Sequence, residues 1–160
     1  MLKQALLVIG IAGASVTGLS GAFAAEFGTS EEALAMLNRA VSEVNTDKFA
    51  AIDKFNYNRP GFRDRDLFVF CFDGSNGKFT AHEAMVGQDV RTLHDTTGAP
   101  FGEQMYENAK LGQIAMVAYI SPVPGSNAHV SKRAYVTRIG DYVCGVSYYL
   151  FNAPSARPTN

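Results

Sequence analysis

Six side chains in this sequence could together hold a small charged molecule: Phe70, His82, Arg91, Tyr119, Lys132 and Tyr135. An imidazole such as His82 can donate or accept a hydrogen bond at a carboxylate. Lys132 offers a compact point charge, and Tyr119 and Tyr135 each offer a hydroxyl on a large apolar body. Arg91 carries the planar fork that clamps a carboxylate bidentately. Each has a plainer reading beside it. His82 could fasten a loop to a sheet, Lys132 could be a solvated strand end, and Arg91 could be an exposed loop charge beside the Asp95-Thr96-Thr97-Gly98 turn. The aromatic rings could simply be core. Lys132 and Tyr135 stand three residues apart, so on a regular strand they point to opposite faces and cannot both reach one site.

Covalent and metal chemistry is less well provided for. Cys71 and Cys144 lie in apolar runs that read as strands. An exported chain meets an oxidising compartment, where the two could pair as a disulfide, and the alternative is two buried thiols acting as small hydrophobes. Their spacing matches no zinc or haem pattern. No G-x-S-x-G, H-E-x-x-H or C-x-x-C is present, so the chain does not read as an enzyme. Asp73-Gly74-Ser75-Asn76-Gly77 resembles half of a calcium loop but lacks the later Glu and the spacing, and turn chemistry accounts for it. No metal or cofactor is expected.

These residues need a scaffold, and the chain punctuates one. Thr29-Ser30-Glu31-Glu32 is a capping box. Leu34, Leu37, Val41 and Val44 follow at helical steps, and after Asn45-Thr46-Asp47 the pattern resumes with Phe49, Ile52 and Phe55. This predicts one long helix with a weak point, or two in series, ending near Asn56. Leu67 to Phe72 and Lys78 to His82 flank a Gly- and Asp-rich turn and predict a hairpin. Phe68, Phe70 and Phe72 share one of its faces, Val69 and Cys71 the other. A helix is expected from Phe101 to Lys110. Strand-like runs follow at Gln113 to Ile120, Lys132 to Ile139 and Tyr142 to Phe151, with a tight turn at Gly140-Asp141. Strands grouped with the helices held apart predict an α+β fold on an antiparallel sheet.

The ends and the charge set the compartment. Lys3, the apolar run Ala5 to Leu19 and Ala22-Phe23-Ala24 have the order of a secretory signal peptide over residues 1–24, shorter than a membrane span. What remains is the size of one domain, expected over 25–152, with a polar, Pro-containing tail at 153–160. With 14 Lys and Arg against 15 Asp and Glu, and no basic stripe, nucleic acid is not an expected partner. A periplasmic location without a membrane span after cleavage is expected.

Set in order, the motifs resemble a known family, the single Cache domains, which are extracytoplasmic relatives of PAS sensor domains. The resemblance runs through Gly61-Phe62-Arg63-Asp64, Asp66 to Phe70, Asp73 and Gly77, Ala81-His82 and Val86-Gly87-Gln88-Asp89-Val90. It continues through Asp95 and Gly98, Phe101 to Met105, Tyr119, Pro124, Lys132 to Val136 and Tyr142 to Tyr149. It implies a long N-terminal helix packed on a PAS-like five-stranded antiparallel sheet, with a small-molecule pocket between the sheet and residues 82 to 119. It further implies sensing of a small organic ligand, a carboxylate among the candidates, for a membrane histidine kinase or chemoreceptor. The sequence departs from the family at Ser121, where a Trp is common, and at Glu83, where a Pro often follows the His. Those departures also fit a second reading, a ligand-free protein-interaction module that keeps the fold.

Overall fold

The structure is a computed structural model and describes residues 27–151. The leader expected over 1–24 and the tail over 153–160 lie outside the described residues. Helix α1 (Ser30–Thr46) begins at the expected capping box. The Thr29 hydroxyl accepts from the Glu32 amide at 3.2 Å, and the Glu32 carboxylate accepts from the Thr29 amide at 2.8 Å. The weak point is a true break. Asp47 caps a second helix, α2 (Lys48–Asn56), its carboxylate accepting from the Phe49 and Ala50 amides at 3.0 Å each. Restarting the helix there changes its phase, so Phe49 is 70% exposed while Ala51 and Phe55 are buried. In α1 the buried face is Ala33, Met36, Leu37, Ala40 and Val44. Leu34 and Val41 move to its edge, because the small Ala33 and Ala40 let the helix sit close to the sheet.

The strands are β1 (Arg63–Asp64), β2 (Leu67–Asp73), β3 (Phe79–Ala81), β4 (Ala115–Pro122), β5 (His129–Ile139) and β6 (Tyr142–Tyr149). All pairings are antiparallel, in the order β1-β2-β6-β5-β4 with β3 also on β2. The sheet therefore has six strands where five were expected. The addition is the two-residue β1, which shares with β3 the edge of β2 that faces away from β6. The α+β, PAS-like arrangement holds, with α1 and α2 packed on one face of the sheet.

Alternation along the strands separates two cores. Leu67, Val69, Cys71, Cys144, Val146 and Tyr148 pack with α1 and α2. Phe70, Phe72, Phe79, Val117, Ala134, Val136 and Val143 face the other way. That second face is covered by the long connection from β3 to β4, which contains a 3₁₀ turn (Val90–Thr92) and helix α3 (Phe101–Asn108). Gly102 lets α3 settle there, for it lies so close to the Val90 carbonyl that no Cβ would fit. Cys71 and Cys144 are direct partners in the β2–β6 register, both fully buried on the helix face, and are joined in a disulfide. Of the two readings open in the sequence, pairing is the one realised.

Candidate ligand-binding cavity

Between the second face and its cover lies a cavity of about 230 Å³. Its floor comes from alternate residues of four strands: Phe68 and Phe70 of β2, Tyr119 and Ser121 of β4, Lys132 of β5 and Ser147 of β6. His82, the first residue after β3, enters at one side, and Met85, Leu93, Phe101 and Met105 descend from the cover. The wall is mostly apolar with a few polar groups, the composition that orients a small molecule. Its volume falls below the roughly 300–1,000 Å³ of sites for drug-sized ligands, so only a small occupant fits.

Each polar group is positioned by a local cause. Tyr119 stacks on Phe101, with ring centroids 4.2 Å apart and planes 9° from parallel, and its hydroxyl donates to the Ser147 hydroxyl at 3.0 Å. Burial raises the Tyr119 hydroxyl pKa above its ordinary value, so it stays a neutral hydrogen-bonding group. His82 is boxed by Phe68 and Phe79, with centroids at 5.2 and 5.0 Å. Its Nδ1 accepts from the Ala84 amide at 3.1 Å. A neutral ring so held carries its proton on Nε2. Burial first, and then the charge of Lys132, push the His82 pKa down to about 4.

Lys132 is 9% exposed. Its ammonium lies 4.2 Å from the centroid of Tyr149, its cross-strand partner. Burial lowers its pKa, and the carboxylate of Asp66 works in the opposite direction. Among the described residues that line the wall, Lys132 is the one basic side chain besides His82, and none is Asp or Glu. The cavity is thus poor in negative charge, with one cation and several neutral groups able to donate.

Four of the six side chains singled out in the sequence come together here: Phe70, His82, Tyr119 and Lys132. Two do not. Tyr135 lies on the helix face, stacked on Tyr148 at 5.4 Å, because period two sets it opposite Lys132. Arg91 is engaged elsewhere. Its guanidinium forks onto the Asp89 carboxylate at 2.9 and 2.6 Å and donates to the Asn76 carbonyl at 2.8 Å. It also lies 5.0 Å from the Tyr106 ring centroid, and so ties the covering connection to the β2–β3 turn. A second tie comes from Asp95, whose carboxylate accepts from the Ile120 amide at 2.9 Å on the free edge of β4.

Ser147 and the covering residues Met85, Leu93 and Met105 were not picked out from the sequence. Ser147 had a readable signal, a hydroxyl inside an otherwise apolar strand. Ser121 lines the cavity. Glu83 pairs with Arg63 of β1.

A helix-backed antiparallel sheet with a small cavity under a long connection defines a PAS-like sensor-domain fold. Comparison with solved structures narrows this to the fold of a single Cache domain. A periplasmic sensor domain of a chemotaxis protein superposes with a TM-score of 0.54 at 20% identity, covering 76% of this chain and 90% of its own. A Cache chemosensory domain from work on the structural basis of carboxylic acid recognition gives 0.51 at 18% identity, covering 72% and 84%. No protein-family model and no curated protein matches the sequence. Both neighbours are sensor domains. Among the described residues no helix is long and apolar enough to cross a membrane.

Proposed function

We propose that the chain is a periplasmic sensor domain that binds a small monocarboxylate in this cavity and acts through a separate membrane histidine kinase or chemoreceptor. The observation that carries the reading is the buried Lys132 ammonium in a mostly apolar wall whose other polar groups are neutral. A lone cation there attracts an anion far more strongly than it would in water. His82 and the Tyr119 and Ser147 hydroxyls supply neutral hydrogen-bonding groups for its oxygens. With no carboxylate in the wall, the ammonium group of an amino acid or an amine has no counter-charge. One cation suits one carboxylate, and the small volume suits a short chain. The neighbour associated with carboxylic acid recognition supports the same chemistry, and the signal-like order of residues 1–24 supports export.

Thermal-shift measurement on the purified protein tests this against acetate, propionate, pyruvate, dicarboxylates, amino acids and amines. A monocarboxylate should raise Tm in a concentration-dependent way. Lys132→Met should abolish the rise, and Tyr135→Phe should leave it intact. No response to any monocarboxylate, or an equal response in Lys132→Met, overturns the reading.

A further inference from the structure

Asp66 stands just before β2 and lines no part of the cavity, yet it is joined to the site from behind. Its Oδ1 accepts from the Gly28 amide at 2.7 Å, at the root of α1. Its Oδ2 is buried and has no hydrogen-bond partner among the described residues. A buried carboxylate oxygen without a donor is costly unless a cation compensates its charge. The buried cation that feels Asp66 is Lys132, whose charged form the carboxylate supports against burial.

A second line of contact joins the same places. Lys132 lies over Tyr149, and the Tyr149 ring meets Phe27 edge-on at 5.6 Å. The Phe27 carbonyl accepts from Arg65 at 2.9 Å, beside Asp66 in the chain. Gly28 is pressed so closely against the Leu67 side chain that no Cβ would fit, which leaves this segment little freedom to shift independently. Residues 27 and 28 are therefore joined to Lys132 by contact through Tyr149 and to Asp66 by a hydrogen bond. The Asp66 charge acts on Lys132 without a direct ion pair.

We propose that Asp66 is the counter-charge of the cavity's lysine, so that an anion entering the cavity competes with Asp66 for Lys132 and the exchange is read at Phe27 and Gly28. The proposal rests on the anion reading of the cavity and adds a positioning residue and a route of output to it. Two negative groups sharing one cation oppose each other, and the opposition is reciprocal. A bound anion weakens the compensation of Asp66, whose other oxygen holds Gly28. It also draws the ammonium from the Tyr149 ring, against which Phe27 packs. Occupancy of the cavity thereby alters the segment that leads into α1.

The test combines a ligand-free mutant cycle with a titration, both on the full chain and both read at the Gly28 amide by NMR. Without ligand, Lys132→Met should change the Gly28 exchange rate several-fold in the wild-type background and leave it unchanged in Asp66→Asn, which keeps the acceptor but not the charge. Lys132→Gln serves as the second variant should Met disturb folding. Acetate should then shift the wild-type Gly28 amide at saturation. In Asp66→Asn acetate should bind roughly 5-fold tighter, the lower end of typical site-to-site coupling, with the Gly28 response lost. If acetate binds but the cycle is additive, or Asp66→Asn binds it with unchanged affinity, the proposal is overturned while the anion reading stands. If no monocarboxylate binds, the anion reading falls and takes the proposal with it.

Discussion

The two faces of the sheet are built by alternate residues of the same strands, yet one is sealed and the other holds a cavity. On the helix side Val69, Cys71, Cys144 and Val146 are 2% exposed or less and carry no polar group. On the other side Phe70, Lys132 and Ser147 occupy the neighbouring positions, and the wall mixes aromatic rings with a cation and hydroxyls. Helices bring a regular apolar stripe and close-pack against a sheet. The long connection brings isolated side chains, and leaves a gap between them that Lys132, His82 and Tyr119 can serve. Gly145 marks the boundary between the two strategies. A Cβ there would press into the Phe70 ring, so the bare backbone of β6 lets that ring lie flat across the cavity floor. Rigidity and recognition are thus assigned to opposite faces.

That division fails or holds first at the disulfide. Cys71 and Cys144 are 73 residues apart, a loop whose closure in the unfolded chain corresponds to about 4 kcal/mol in the chain-entropy account. The double variant Cys71→Ala, Cys144→Ala should lose an amount of that order in urea unfolding. Well below its melting temperature it should bind a monocarboxylate within about 2-fold of the wild type. A folded variant that has lost binding would show that the two faces are not separable.

A smaller effect belongs to the cavity side and depends on pH. The His82 pKa is lowered in the folded protein from 6.5 to about 4. Its neutral form therefore contributes stability that is fully present above the unfolded value. That contribution is lost progressively as pH falls from about 6.5 to about 4. The full shift would correspond to about 3 kcal/mol, and the ring's remaining solvent contact reduces this to roughly 1–2 kcal/mol. Unfolding free energies at pH 7 and pH 4.5 should differ less in His82→Asn, whose side-chain oxygen can still accept from the Ala84 amide. A variant whose pH dependence matches the wild type would place the acid sensitivity on other groups.

Much of the sealed side was legible in the sequence, and less of the open side. Capping chemistry is local, so Thr29 and Glu32 announced the start of α1, and Asp47 its interruption. Strand parity was local too, and it separated Phe70 from Cys71 and Lys132 from Tyr135 before any fold was known. Parity does not say which face is which. That depends on where the helices pack, and for this reason Tyr135 stood beside Lys132 as a candidate although it serves the helix core. Phe49 failed for a related reason, since the new cap at Asp47 reset the helical phase. Arg91 was open to two readings, an exposed loop charge or a carboxylate clamp, because its partner Asp89, two residues away, engages it only in the folded turn. Asp66 carried no sequence signal of its role. Its burial, its bond to Gly28 and its influence on Lys132 all arise from contacts distant in the chain.

The finest contrast between the faces lies in two tyrosines that donate or accept a single hydroxyl contact each. Tyr119, in the cavity wall, donates to Ser147 at 3.0 Å. Tyr135, on the helix side, accepts from Tyr148 at 3.4 Å near the edge of the core. Removing the Tyr119 hydroxyl leaves a buried Ser147 oxygen without its donor, and Tyr119→Phe should lower stability by about 1 kcal/mol. It should also weaken monocarboxylate binding, because the hydroxyl pair adjoins the space where the anion's oxygens would lie. The longer Tyr135 contact is one that water can replace, so Tyr135→Phe should change stability by less than about 0.5 kcal/mol and leave the affinity unchanged. Paired urea and calorimetric titrations of the two variants would read both quantities. A loss of affinity in Tyr135→Phe comparable to that in Tyr119→Phe would show that the helix face feels the ligand directly, and would break the division at its most sensitive point.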